Sequence, residues 1–199
     1  MTRAPVGPAP ALGLLALAGL LACGRGDRAA PRPAPAEAEA PDPVTIVAGV
    51  GWIAEEPLVA RPPANELRQA EYAVQGHPGA VLAAFHFGAQ EGGGGPVDEN
   101  VDRWLEQLVQ PDGSPTRDRA RIEQRQSHGL PITTVSAEGT FVGQRGTAPS
   151  VGQQPGWRLL GAIIEGPEGP VFLKLTGPRE AVGLAEAAFE ALLASVHPA

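Results

Sequence analysis

The sequence predicts an α+β fold in which an antiparallel sheet is flanked by two amphipathic helices. Three observations lead to this prediction. Short runs of alternating apolar residues are bounded by glycine and proline, which is typical of antiparallel strands. Two longer segments repeat apolar residues at helical spacing, one in the middle of the chain and one at its end. Two strand-like runs near the C-terminus are joined by a Gly-Pro turn, which indicates a hairpin.

An export signal is predicted at residues 1–22. The apolar run Ala9–Ala22 follows Arg3 and is shorter than the roughly 20 residues of a transmembrane helix, as is typical of a signal peptide. Leu20-Leu21-Ala22 then precedes Cys23 and resembles the bacterial lipobox. This resemblance implies that Cys23 is acylated and becomes the first residue after cleavage. An ordinary secretory signal with a chance cysteine is the alternative.

The location that follows is the bacterial cell envelope. Cys23 is the only cysteine, so no intramolecular disulfide can form, and acylation would remove a free thiol. A lipid bilayer is therefore the predicted partner of Cys23. Gly24, rather than an aspartate, follows Cys23. The sorting rule of some Gram-negative bacteria then favours an outer-membrane anchor with the domain facing the periplasm.

A tether is predicted at residues 23–43. After Cys23 this segment has no large apolar side chain, so it cannot bury enough surface to fold. Its prolines favour an extended chain. A single α+β domain is expected at residues 44–199. The net charge is −7 and no basic stripe is present, which argues against nucleic acid as a partner.

The first part of the domain is predicted to be mostly strand. It begins with the apolar segment Val44–Ala54. Alternation over Asn65–Val74 indicates a strand, and alternation over Ala80–Gly88 indicates a second one. The His-Pro-Gly sequence at residues 77–79 is predicted to be the turn that joins them into an antiparallel hairpin.

The clearest helix is predicted from Val97 to Val109. At 100° per residue its apolar residues share one face, and charged residues cover the other. Pro96 suits a helix start, while Pro111 and Gly113 are expected to end the helix. The residues of the apolar face are Val97, Val101, Trp104, Leu105 and Leu108.

The second half is predicted to contain strands, a long loop, a hairpin and a final helix. Its apolar helical stripe is typical of a helix that packs on a sheet. The segments are two strands at Arg121–Gln126 and Pro131–Gly143, a loop at Gly143–Gly156, a hairpin of Trp157–Gly166 with Pro170–Gly177, and a helix at Pro178–Val196.

Three stretches, Asn65–Val74, Phe85–Gln107 and Arg158–Val182, resemble a family of uncharacterised exported bacterial proteins that are often predicted lipoproteins. The start Glu66–Arg68 departs from the family's usual Met-Arg. The order of elements is also similar to the PsbP-like fold, which implies a binding or assembly role rather than catalysis; fold alone does not fix function. The matching residues are Arg68, Ala70 and Tyr72, then Phe87, Gly88, Gly92 and Gly93, then Asn100, Arg103 and Trp104, and finally Lys174–Pro178.

The residues predicted to bind a partner are Asn100 and Arg103 on the first helix, and Gln144 and Arg145 in the long loop. Trp104 is expected to belong to the core. Arg103 lies off the apolar stripe, so it is placed to pair with a sheet-edge carboxylate, with Glu99 one turn away, or with a partner. Long loops without secondary structure are often functional.

No cofactor, metal or catalytic residue is predicted. The glycine run before the first helix is not followed by the Lys and Ser/Thr of a phosphate loop. The four histidines have no metal-like spacing, and Ser150 lacks the strand and helix of a nucleophile elbow. The sequence therefore favours a membrane-anchored lipoprotein with a non-enzymatic periplasmic binding or assembly domain. The alternative is a small-ligand enzyme, a hydrolase, with its site near the 143–156 loop.

Overall fold

A computed structural model describes residues 44–88, 93–143 and 152–199. Several predictions concern residues outside these ranges. They are the signal peptide at 1–22, the acylation of Cys23, the tether at 23–43, and the partner-binding roles of Gln144 and Arg145.

The described residues form eleven strands, two α-helices and a short 3₁₀ helix at Thr116–Arg119. The helices are α1 (Val97–Leu105) and α2 (Arg179–Ser195). The strands are β1 (Val44–Val47), β2 (Val50–Ile53), β3 (Leu58–Arg61), β4 (Arg68–Val74), β5 (His77–His86), β6 (Leu108–Val109), β7 (Arg121–Ser127), β8 (Leu130–Phe141), β9 (Gln154–Gly166), β10 (Gly169–Pro178) and β11 (His197–Pro198).

The main sheet has eight strands in the order β3-β4-β5-β10-β9-β8, with β6 and β7 both pairing with β8 on the edge away from β9. A separate sheet has the order β1-β2-β11. Every strand pair is antiparallel. The predicted α+β class is confirmed at this level. The main sheet is larger than expected, because β3 and β6 had no distinct sequence signal, and a second, separate sheet was not expected.

The two helices lie on opposite faces of the main sheet. In β9, Leu160 and Ile164 belong to the core under α2, whereas Leu159 and Ile163 belong to the core under α1. Successive side chains of a strand point to opposite faces, so both sets are buried at once. This explains why β9 has a nearly continuous apolar sequence rather than a strict alternation. Neither of the two helices in the described ranges is long and apolar enough to span a bilayer.

The small sheet is fixed to the α2 side of the molecule by a buried aromatic pair. Trp52 of β2 is fully buried, and its Nε1 donates to the hydroxyl of Tyr72 at 3.1 Å. The same hydroxyl pairs with Thr45 Oγ1 at 2.7 Å. The hydrogen-bonded indole can therefore be buried without the cost of an unpaired donor.

Two boundary predictions are wrong. The turn between β4 and β5 lies at Gln75–Gly76, where Gly76 has φ 75°, and residues 77–79 already belong to β5. A φ in this range suits glycine, so the chain reverses direction at Gly76 and not at the His-Pro-Gly sequence. The first helix ends at Leu105, because the chain then pairs β6 with the end of β8. Tertiary strand pairing therefore ends the helix before Pro111.

The predicted loop at 143–156 is shorter than expected at its C-terminal end. Gln154 already belongs to β9, where it lies opposite Phe141 of β8. The rings of Phe141 and Trp157 stack with centroids 4.7 Å apart. Strand β9 therefore begins at Gln154, before Trp157, where sequence periodicity had placed its start.

Candidate functional site

A cavity of about 320 Å³ lies between α1 and the neighbouring strands β5 and β10. We call it the α1 pocket. It combines apolar and aromatic side chains with two cations and two amides, and Asn100 and Arg103, both predicted to bind a partner, line it. The lining residues are Leu67, Phe85, Phe87, Asn100, Arg103, Trp104, Gln107, Phe172 and Lys174.

Aromatic rings form the apolar side of the α1 pocket. Phe172 contacts Phe87 with ring centroids 5.8 Å apart, and Trp104 with centroids 6.3 Å apart and planes at 82°. Trp104 lies directly over Gly161 of β9, where an added Cβ would be 2.4 Å from the indole ring. Glycine at this position lets the indole of Trp104 pack directly on the backbone of β9, and this contact fixes the position of the ring at the aromatic side of the pocket.

Asn100 positions the start of α1 and is 2% exposed. Its Nδ2 donates to the carbonyl oxygens of Gly94 at 2.7 Å and Pro96 at 2.9 Å. These bonds fix which end of the amide is the nitrogen, so Oδ1 faces Arg103. The amide donors of Asn100 are therefore used within the chain, and its contribution to the pocket is an acceptor oxygen.

Arg103 extends from α1 to the pocket, and its Nη1 donates to Asn100 Oδ1 at 3.0 Å. The structure places it with neither Glu99 nor a sheet-edge carboxylate: in residues 44–88, 93–143 and 152–199 it forms no salt bridge. Both intramolecular pairings expected for Arg103 are thus wrong within the described chain. Its charge is held beside the pocket by a neutral amide.

Lys174 of β10 is the second cation of the pocket, and sequence reasoning did not identify it as a site residue. Its Nζ donates to Gln107 Oε1 at 3.1 Å, and no described carboxylate forms a salt bridge with it. Burial, with the nearby charge of Arg68, lowers the pKa of Lys174 to about 8. The available signal was a lysine within Val171–Leu175, a strand segment that is otherwise apolar on both faces.

A buried carboxylate lies next to this region in β4. Glu71 is 2% exposed, and it forms salt bridges with Arg61 and Arg68 and accepts from the N–H of Ala64 at 3.0 Å. Burial raises the pKa of Glu71, but these three hydrogen bonds outweigh burial and hold the pKa below its ordinary value. The cluster joins β3, β4 and the connection between them, so its role is structural.

Two of the four histidines, His128 and His197, lie together near the end of α2. His128 and His197 lie with ring centroids 6.3 Å apart, and the Nδ1 of each is 2.8 Å from a backbone carbonyl near the end of α2. Among the described residues, no group of three His, Cys, Asp or Glu side chains is arranged to hold a metal ion.

Comparisons with known proteins add no functional assignment. No protein-family model matches the chain, and no curated protein matches its sequence. The solution structure of cyanobacterial PsbP (CyanoP) from Synechocystis sp. PCC 6803 is similar, with 11% identity over 76% of this chain and 87% of that chain, at a TM-score of 0.47. The crystal structure of a protein of unknown function from Pseudomonas aeruginosa, PA94, described as a putative regulator, is similar at 15% identity over 71% of this chain and 81% of that chain, at a TM-score of 0.36. Similarity at this level carries no argument about function.

Proposed function

We propose that the protein is a lipid-anchored protein of the bacterial cell envelope whose folded domain binds an envelope partner and catalyses no reaction. In this proposal the acyl chains on Cys23 hold the protein in the outer membrane, the tether 23–43 keeps the domain away from the bilayer, and the domain faces the periplasm. The domain has a PsbP-like arrangement, a proposal supported by the order of strands and helices along the chain.

The α1 pocket is the observation that carries the binding role. Arg103 and Lys174 lie beside aromatic rings without a carboxylate partner among the described residues. Arg103 is exposed, but Lys174 is partly desolvated, and holding such a cation without a counter-charge costs stability. A pocket that keeps this charge therefore favours recognition of an external group over a purely structural role.

The chemistry of the pocket favours binding over bond cleavage. Among the described residues its lining contains no Ser, Cys, His, Asp or Glu, so Lys174, whose pKa is lowered, has none of these groups beside it to complete a nucleophile–base or acid–base pair. The hydrolase alternative near residues 143–156 has no comparable support among the described residues. The described residues beside that segment bring together the aromatic pair Phe141 and Trp157, which supplies no nucleophile or base.

The anchor is tested by Cys23→Ala. We expect this variant to lose [³H]palmitate labelling and to move from the membrane to the soluble fraction, because no acyl acceptor remains and stable anchoring requires more than one hydrocarbon chain. Fractionation of the cell envelope measures the effect. Retention of both the label and the membrane association in Cys23→Ala would contradict the proposed anchor.

The binding role is tested by photocrosslinking in the intact envelope. We place a photoreactive phenylalanine analogue at Leu67, which is 63% exposed at the rim of the α1 pocket. Leu184 on α2 is 61% exposed on the opposite side of the sheet and is the matched control. We expect a specific adduct at Leu67 that is absent at Leu184. No adduct at Leu67, or identical adducts at both positions, would contradict partner binding at this pocket.

A further inference from the structure

We propose that the α1 pocket binds a carboxylate group that is carried on an apolar body. Arg103 and Lys174 hold the carboxylate, and the aromatic rings contact the body. This inference rests on one part of the proposed function, namely that the domain binds its ligand without transforming it. It adds the chemical group that the pocket recognises.

The charges of the pocket are only partly used within the chain. Within the described residues the Arg103 guanidinium donates to Asn100 Oδ1 and the Lys174 ammonium donates to Gln107 Oε1. A guanidinium has five N–H donors and an ammonium has three, so each cation keeps donors for a ligand. Two carboxylate oxygens can accept from both cations, and arginine binds carboxylates in a two-point geometry.

The amide oxygens favour a carboxylate over a phosphate. Asn100 Oδ1 and Gln107 Oε1 both face the cations, so the pocket offers acceptors beside its donors. The third and fourth oxygens of a phosphate would lie against acceptor oxygens, whereas a carboxylate has only two oxygens to place. The Asn100 amide cannot turn over to supply donors, because Nδ2 is bound to the carbonyls of Gly94 and Pro96.

The rest of the pocket fits an apolar group of limited size. Phe85, Phe87 and Phe172 line it, and Leu67 extends the apolar surface at the rim. Its volume of about 320 Å³ is at the lower end of the range for small-molecule pockets. One aromatic ring or a short alkyl chain, attached to the carboxylate, is the body that such a space accepts.

Calorimetric titration of the full chain in detergent tests the inference, with detergent blanks. The probes are 3-phenylpropanoate, its amide, and the peptide acetyl-Gly-Gly-Phe with a free or an amidated C-terminus. We expect both acids to bind and each amide to bind at least roughly tenfold more weakly. If 3-phenylpropanoate binds more tightly than the free-acid peptide, the natural ligand is a small carboxylic acid. If the free-acid peptide binds more tightly, the natural ligand is the C-terminus of a protein. Equal binding of acid and amide, or no binding of either acid, overturns the inference.

Two variants and one control locate the binding. Lys174→Met and Arg103→Gln are each expected to weaken acid binding by at least roughly tenfold. Arg117→Gln removes an exposed guanidinium that pairs with Asp102 outside the pocket, and should bind like the unmodified protein. Arg103 is exposed, so Arg103→Gln should preserve the fold. The fold of the Lys174→Met variant is checked by its melting temperature, which should be no lower than that of the unmodified protein. Unchanged affinity in both pocket variants overturns the inference.

The pH dependence supplies a second readout. Because the pKa of Lys174 is about 8, its charge is lost as the pH rises, and the other cationic side chains near it are those of Arg68 and Arg103. Affinity for 3-phenylpropanoate should fall between about pH 7 and about pH 10 in the unmodified protein. The fall should be smaller in Lys174→Met, and an equal fall in both would overturn the role of Lys174.

Competing occupants give distinct results. Inorganic phosphate that displaces 3-phenylpropanoate at equal concentration would overturn the preference for carboxylate. Glu91 lies outside the described residues. A Glu91→Gln variant that binds the acids at least roughly tenfold more tightly would show that the chain's own carboxylate fills the pocket, which also overturns the inference. Consumption of the acid, detected by mass spectrometry, would instead contradict the proposed non-enzymatic function.

Discussion

Glu71→Ala is expected to lower the free energy of unfolding by about 2–3 kcal/mol. The carboxylate is buried and accepts from Arg61, Arg68 and the N–H of Ala64. Removing it leaves two arginines beside each other without their counter-charge, and leaves the Ala64 amide without its acceptor. The expected cost lies below the 3–5 kcal/mol of a fully buried pair because both arginines reach solvent. Urea denaturation at neutral pH measures it.

The control for Glu71 is Glu138→Ala on β8. Glu138 also faces two arginines, Arg158 and Arg179, but half of its side chain is exposed. Exposed ion pairs contribute little, so Glu138→Ala should change the unfolding free energy by less than about 1 kcal/mol. Equal effects of the two substitutions would show that burial of Glu71 is not what makes its contacts important.

The same carboxylate makes stability depend on pH in the acid range. Because the folded protein holds the pKa of Glu71 below its ordinary value, the unfolded chain binds more protons as the pH falls. The stabilisation from Glu71 is complete above the unfolded pKa of about 4.5 and is lost as the pH decreases through the folded pKa. Glu71→Gln should therefore lose less stability than the unmodified protein between neutral and acid pH. A parallel loss in both proteins would contradict this assignment.

Trp104→Ala is expected to have the largest effect, about 3–5 kcal/mol of unfolding free energy. The indole is 7% exposed and packs against Phe172 and over Gly161. Truncation opens a cavity under α1 and removes one of the four aromatic rings that line the pocket. Both thermal and urea unfolding should report the loss, and acid binding should be lost with it.

A double-mutant cycle separates this packing from a general effect of the helix. Gly161→Ala alone forces a Cβ to within 2.4 Å of the Trp104 ring, so it should cost about 1–3 kcal/mol. In the Trp104→Ala background the same methyl enters the cavity, so its cost should largely disappear. We expect a coupling energy of at least about 1 kcal/mol. Additive effects of the two substitutions would contradict the proposed contact.

The candidate site was predictable only in part. The stripe of α1 placed Trp104 in the core, and Asn100 and Arg103 do line the α1 pocket. Lys174 was missed because a lone lysine in an otherwise apolar strand segment does not indicate which residues of other elements surround it. Its position in the α1 pocket depends on the packing of β10 beneath α1, which brings its ammonium to Gln107, a residue 67 positions away in the sequence.

The sequence by itself determined the α+β class, the stripes of α1 and α2, and the hairpin of β9 and β10, because these depend on the spacing of apolar residues along a short segment. The export signal and the acylated Cys23 remain predictions from sequence alone. The tertiary structure decided the neighbours: β6 ended α1 early by pairing with β8, and β5 came to lie beside β10. It also decided that Lys174 is a half-buried cation with a lowered pKa rather than a fully solvated lysine. Strand pairing and burial are set by distant residues, so the unpaired charges of the α1 pocket could be identified only after the chain had folded.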